Sequence, residues 1–131
     1  MMRTKPMYKR EEGVTHQKSY AFALRIVRMV KYLREEKREH ILSKQVLRSG
    51  TAIGALIREA EFAQSEADFI NKLKVALKEA NETDYWLNLL KDTEYLDKEA
   101  YDSIETDCHE LIALLVATLN TIKQKQEKES K

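Results

Sequence analysis

Apolar residues recur at spacings of four and three, with hardly a break, between residues 42 and 90. Leu42, Val46, Ser49, Ile53, Leu56 and Ala60 form one line; Phe69, Leu73, Ala76, Ala80, Thr83, Leu87 and Leu90 form the next. That period places a stripe along one face of an α-helix, and the stripe leaves water only by packing on another. Between the lines stand Gln64 and Ser65, with Asp68 three residues beyond Ser65 in an acidic variant of the capping box. The stretch therefore predicts two long helices folded back on one another.

Two more stripes flank this pair. Phe22, Ile26, Met29 and Leu33, with Ala23 and Val30 beside them, predict a helix over about residues 19–37. Tyr101, Ile104, Cys108, Leu111, Leu115, Thr118 and Ile122, widened by Ile112 and Leu119, predict a last helix behind an Asp97 cap. Ser43 is the expected cap of the second helix, with Leu42 and Leu47 as a hydrophobic staple. With only three Gly and one Pro in 131 residues, and aromatics at 8%, the composition argues against a sandwich or barrel. Short links make neighbouring helices antiparallel, and the stripe spacing gives a left-handed twist. The expected fold is all-α: an antiparallel, up-down-up-down, left-handed four-helix bundle over residues 18–125. Residues 1–17, with Pro6, Gly13 and no apolar period, are expected as a flexible arm, and residues 126–131 as a polar tail that frays.

Small residues crowd the second helix: Ser49, Gly50, Thr51, Ala52, Gly54 and Ala55. A glycine inside a helix costs about 1 kcal/mol relative to alanine, so a close approach by another helix is the expected reason for them. A phosphate-holding loop would need GxxxxGK[ST], which the chain lacks.

Bundles of this size invite a test for a di-iron carboxylate centre, which needs Glu-x-x-His pairs. Three residues before His16, His40 and His109 stand Gly13, Lys37 and Thr106, so no such pair exists. Glu36/His40 and Glu105/His109 are four apart and read as exposed ion pairs. No zinc motif is present. Cys108 is the lone cysteine, which excludes an internal disulfide, fits a reducing cytoplasm, and reads as a small buried hydrophobe on the apolar stripe. Ser49 and Thr51 read as packing and back-bonding hydroxyls. Glu59, Glu61, Glu79 and Glu82 could include an acid/base pair. Glu79 and Glu82 fit better as polar-face residues pairing with Lys78, Arg58 or another subunit. Catalytic residues, cofactor and metal are thus all expected to be absent. So is a membrane partner, since no run approaches the ~18 apolar residues of a span and no signal peptide is seen.

Charge is divided along the chain. Residues 1–50 hold 13 Lys/Arg against 5 Asp/Glu, and residues 51–131 hold 10 against 17. Lys18, Arg25, Arg28, Lys31, Arg34 and Arg38 fan across the first helix and are the candidate nucleic-acid-binding residues. The same division could instead pack the first half on the second, or draw subunits together. A second apolar line, Val75, Trp86 and Leu89, lies off the core stripe of the third helix, with Leu47 and Phe62 likewise off that of the second. These five are the candidate oligomer interface.

One long segment carries a resemblance. Arg48-Ser49 is followed by Gly50-Thr51-Ala52-Ile53, then by Glu59, by the Ser-x-x-Asp-Phe of residues 65–69, by residues 73–80, and by Glu-Thr-x-Tyr-Trp-Leu at residues 82–87. This pattern resembles the four-helix-bundle family that includes proteins encoded in intervening sequences of bacterial 23S rRNA. The resemblance implies an up-down bundle assembling as a homopentamer, with a function largely unassigned. The accessory variability proteins of diversity-generating retroelements are similar in fold. They bind nucleic acid and a reverse transcriptase through a strongly basic surface, whereas this chain has a pI of about 7.8. The expected function is a non-enzymatic, homo-oligomeric, pentameric scaffold. Its partner would be RNA, DNA or a nucleic-acid enzyme engaged by the basic face. The alternative is a purely structural or protein-protein interaction module with no nucleic-acid partner.

Overall fold

The structure, a computed structural model, describes residues 13–130. It contains α1 (Val14–Glu35), α2 (Leu42–Glu61), α3 (Glu66–Asp92) and α4 (Lys98–Glu129), and no strand among the described residues. Each helix packs on the next in sequence, and α4 returns to α1 along the thinnest of the four seams. Partners run in opposite directions across each seam. Ile26 meets Gly50 while Arg34 meets Ser43. Arg48 meets Glu79 while Glu59 meets Lys72. Cys108 meets Ala80 while Tyr101 meets Asn88, and Lys18 meets Glu110 while Arg25 meets Ser103.

The stripes turn inward much as their spacing requires. Phe22, Ile26, Val30, Leu33, Val46, Ile53, Leu73, Leu87, Leu90, Ile104, Leu111 and Leu115 are buried in one core. On α2, Ile57 and not Leu56 reaches full burial; Leu56 lies at the core's edge.

Helix ends depart further from expectation. α1 begins at Val14, inside the stretch expected as an arm. His16 there lies 2.8 Å from Glu61, a fully buried carboxylate at the far end of α2. Ser19 Oγ donates to the His16 carbonyl at 2.9 Å, and these contacts hold the first turns. The rest of the expected arm, residues 1–12, falls outside the described residues. At the other end α4 continues through Lys128 into the stretch expected to fray. Its Lys, Gln and Glu residues are strong helix formers, and Gln126 Nε2 donates to Glu66 at 2.9 Å, tying this turn to the start of α3.

Ser43 does not cap α2. The chain leaves α1 through Arg38, whose φ of 55° is in the left-handed region, and this turn brings Glu39 under the new helix. The Glu39 carboxylate accepts from the amides of Ile41 at 3.1 Å, Leu42 at 3.0 Å and Ser43 at 2.6 Å. Burial alone would raise the Glu39 pKa, but those three amides outweigh it and hold the carboxyl below its ordinary value. A folded-state pKa below the unfolded one gives stability that is present above pH 4.5 and lost as pH falls through the lowered value. Glu39→Ala is therefore expected to cost about 1 kcal/mol at neutral pH, and to flatten the acid limb of a urea-stability profile. An unchanged profile would show that the cap contributes nothing.

The other two caps match their sequence signals. Ser65 Oγ accepts from the Asp68 amide at 3.0 Å while Asp68 accepts from the Gln64 amide at 3.2 Å. Asp97 accepts from the Ala100 amide at 2.8 Å.

Candidate functional site

The six candidate nucleic-acid residues do not form one free face. Lys18 Nζ sits 2.9 Å from Glu110, and Arg25 pairs with Asp107 at 2.6 Å while also donating to Ser103. These two cations are held across the α1–α4 seam, so part of the charge division packs one half of the chain on the other. Arg34 donates weakly to Ser43 Oγ at 3.4 Å. Arg28, Lys31 and Arg38 are exposed and make no ion pair among the described residues. Exposed Lys37 and Lys44 extend this group around the α1–α2 turn. A groove of about 690 Å³ borders it, lined by Arg25, Arg28 and Tyr32 of α1 and by Asp97, Glu99 and Ser103 beside it. Its walls carry both signs of charge.

The five candidate interface residues are more covered than their stripe positions suggest. Leu47 and Trp86 are half-buried and packed against the core, and Val75 and Leu89 are half-buried. Phe62 is exposed. Trp86 Nε1 donates to Glu82 at 3.2 Å, and Tyr85 meets the Trp86 ring edge-on at 5.0 Å. The longer exposed apolar line is on α1, where Tyr20, Leu24 and Val27 follow one another at spacings of four and three. The sequence held this signal, but Lys31 and Arg34 continue the line and disguise it as part of a charged face.

The family-pattern residues meet between α2 and α3. Arg48 Nη1 donates to both oxygens of Glu79, at 3.3 and 3.0 Å, and Nη2 pairs with Glu82. Glu79 raises the Arg48 pKa most, with Glu82 next, and Arg48 in turn holds the Glu82 carboxyl below its ordinary value. Just inside, Thr83 Oγ1 lies 2.9 Å from Ser49 Oγ and 2.8 Å from the Glu79 carbonyl. Neither Lys78 nor Arg58, the expected partners of the glutamates, takes part. The arrangement is a clasp between two helices in which both acids face one cation.

A third polar group links α3 to α4. His109 Nε2 is 3.1 Å from Asp84 and 3.8 Å from Glu105, and Tyr101 Oη contacts Glu105 and lies 2.7 Å from Asn88 Oδ1. Burial raises the Asp84 pKa; His109 opposes this and the Glu105 charge adds to it. The spacing of Glu105 and His109 was legible in the sequence, but Asp84 arrives from another helix. The other expected pair, Glu36 and His40, lies beyond the end of α1 and shares no helix. Cys108 is fully buried, with its thiol 3.4 Å from the Ala80 carbonyl. Burial pushes that thiol up to about 12, and Asp84 and Glu105 add to the shift, so it stays protonated and unreactive.

No helix among the described residues is long and apolar enough to cross a membrane. No curated protein matches the chain. A crystal structure of a protein with unknown function from the S23 ribosomal protein family, from Bacteroides thetaiotaomicron VPI-5482, is 58% identical with a TM-score of 0.80. The match covers 81% of this chain and 98% of that one. Residues 11–117 match the family described as 23S rRNA-intervening sequence protein. With the match running from α1 through α3 and into α4, and a neighbour of the same architecture at this identity, the chain belongs to the 23S rRNA-intervening sequence protein family.

Proposed function

We propose that the chain is a non-enzymatic scaffold that self-associates through the outer face of α1 and carries RNA on the basic end of that helix. The observation that carries this reading is the exposed cation group Arg28, Lys31, Lys37 and Arg38, which makes no ion pair among the described residues and stands beside the exposed Tyr20, Leu24 and Val27. Apolar side chains on one outer line favour association with another surface. The exposed cations are a sequence-independent phosphate contact. The pentamer implied by the family resemblance is the assembly proposed. Because the family is named for intervening sequences of 23S rRNA, a fragment of 23S rRNA is the first probe.

Light scattering at micromolar concentration is expected to give a mass several times that of the 15.3 kDa chain. A monomer sinks the assembly. In filter binding, affinity should fall with salt at a log–log slope of roughly −2 to −3, as for about three or four phosphate contacts. Charge reversal at Arg28, Lys31 and Arg38 together should abolish it. No binding at low salt removes the nucleic-acid reading. The second reading, a protein-only module, is favoured by one observation: Lys18 and Arg25 are already paired with Glu110 and Asp107. It predicts a partner that stays bound after nuclease treatment.

A further inference from the structure

We propose that Asp84, Glu105 and His109 form a divalent-metal site between α3 and α4, with Zn²⁺ the ion that the donor set suits best. The inference is independent of the nucleic-acid reading. One donor atom from each of the three residues lies within 4.8 Å of the other two. Surface acids alone would not make a site; here a ring nitrogen joins two carboxylates, which is the mixed donor set of zinc and its neighbours in the transition series. Zinc bonds of about 2.0–2.2 Å put tetrahedral donors roughly 3.3–3.6 Å apart. The observed His109 distances, 3.1 Å to Asp84 and 3.8 Å to Glu105, bracket that value.

The scaffold around the donors fits the same role. Glu105 and His109 stand four apart on α4, so both project from one face. Asp84 comes from the facing helix, so a bound ion would tie α3 to α4. Glu105 is also held by Tyr101, whose single hydroxyl proton suits the charged carboxylate. Such outer contacts fix a ligand's orientation. His109 is 54% exposed, whereas Asp84 and Glu105 are 28% and 22% exposed. The site therefore opens to solvent on the histidine side, leaving an entry path and room for water as the fourth ligand. The two carboxylates share one imidazole, which on its own balances at most one of their charges.

The test is calorimetric titration of Zn²⁺ into the full chain, with Co²⁺ absorption as a second readout. The expected result is one saturable site per chain and a tetrahedral Co²⁺ spectrum. His109→Ala and Asp84→Asn should each weaken binding by roughly tenfold or more. His109 is an exposed position, so its variant should fold like the parent by circular dichroism and keep the test valid if Asp84→Asn does not. No saturable binding overturns the proposal. So does binding that both variants retain in full, since the ion would then sit elsewhere, for instance at His16 or His40.

Discussion

Replacing Arg48 with alanine lowers the stability of the bundle by about 2 kcal/mol, between the ~0–1 kcal/mol of an exposed pair and the ~3–5 kcal/mol lost when one partner leaves a buried pair. The intermediate value follows from exposure. Arg48 is 51% exposed, so water replaces some of what the guanidinium loses, but Glu79 is only 12% exposed and keeps its carboxylate in poor contact with water. Thermal unfolding should show the loss as a fall of roughly 6–10 °C in Tm. The variant also changes the response to acid. Arg48 holds the folded-state pKa of Glu82 below its unfolded value of 4.5, so the Glu82 contribution is full above that pH and is lost as pH falls through the lowered pKa. Without Arg48 that loss disappears, and the stability gap between parent and variant should narrow in acid. A gap independent of pH, or one below about 0.5 kcal/mol, would show that the clasp is incidental surface pairing.

Gly50 and Gly54 lie one turn apart on α2, and alanine is expected to act with opposite sign at the two. A Cβ at Gly50 would meet three atoms of Ile26 at 2.8, 3.0 and 3.1 Å, and Ile26 is fully buried, so it can give way only by disturbing the core around it. Overpacking of this kind costs about 1–3 kcal/mol, more than the ~1 kcal/mol of helix propensity gained. Gly50→Ala should therefore destabilise by about 1 kcal/mol, and Gly50→Val, with more bulk and a smaller propensity gain, by about 2–3 kcal/mol. At Gly54 the nearest atom to a new Cβ is the Ser19 carbonyl oxygen at 3.4 Å, an ordinary contact. Propensity then decides, and Gly54→Ala should stabilise by about 0.5–1 kcal/mol. Equilibrium urea unfolding of the three variants checks the order. If Gly50→Ala proves as stabilising as Gly54→Ala, α1 does not approach α2 as closely as its contact with Gly50 requires.

Period and caps were legible from residue order because they are local properties. The stripe on α3 could be read position by position, and Ser65 and Asp97 announce their helices with side chains that reach amides only three residues away. Glu39 carries no local cap signal because its carboxylate reaches the new helix only through the left-handed turn at Arg38, which no glycine or proline marks. Ser43 looked like the cap on residue type, and it is instead the buried residue that the true cap holds. The exposed line on α1 is hidden in the sequence for a different reason: helical periodicity assigns a face, and charged residues share that face with Tyr20, Leu24 and Val27.

The order of residues by itself determined that four amphipathic helices form and which side of each turns inward, since periodic burial is fixed by 3.6 residues per turn. Tertiary structure alone decided which charges meet. Arg48 could have paired with any nearby acid, and packing α2 against α3 chose Glu79 and Glu82. Packing α4 on α1 took Lys18 and Arg25 out of the free basic face, and packing α3 on α4 brought Asp84 to Glu105 and His109. Electrostatic partners are set by distances of a few ångströms between residues far apart in the chain, and periodicity within one helix carries no information about them.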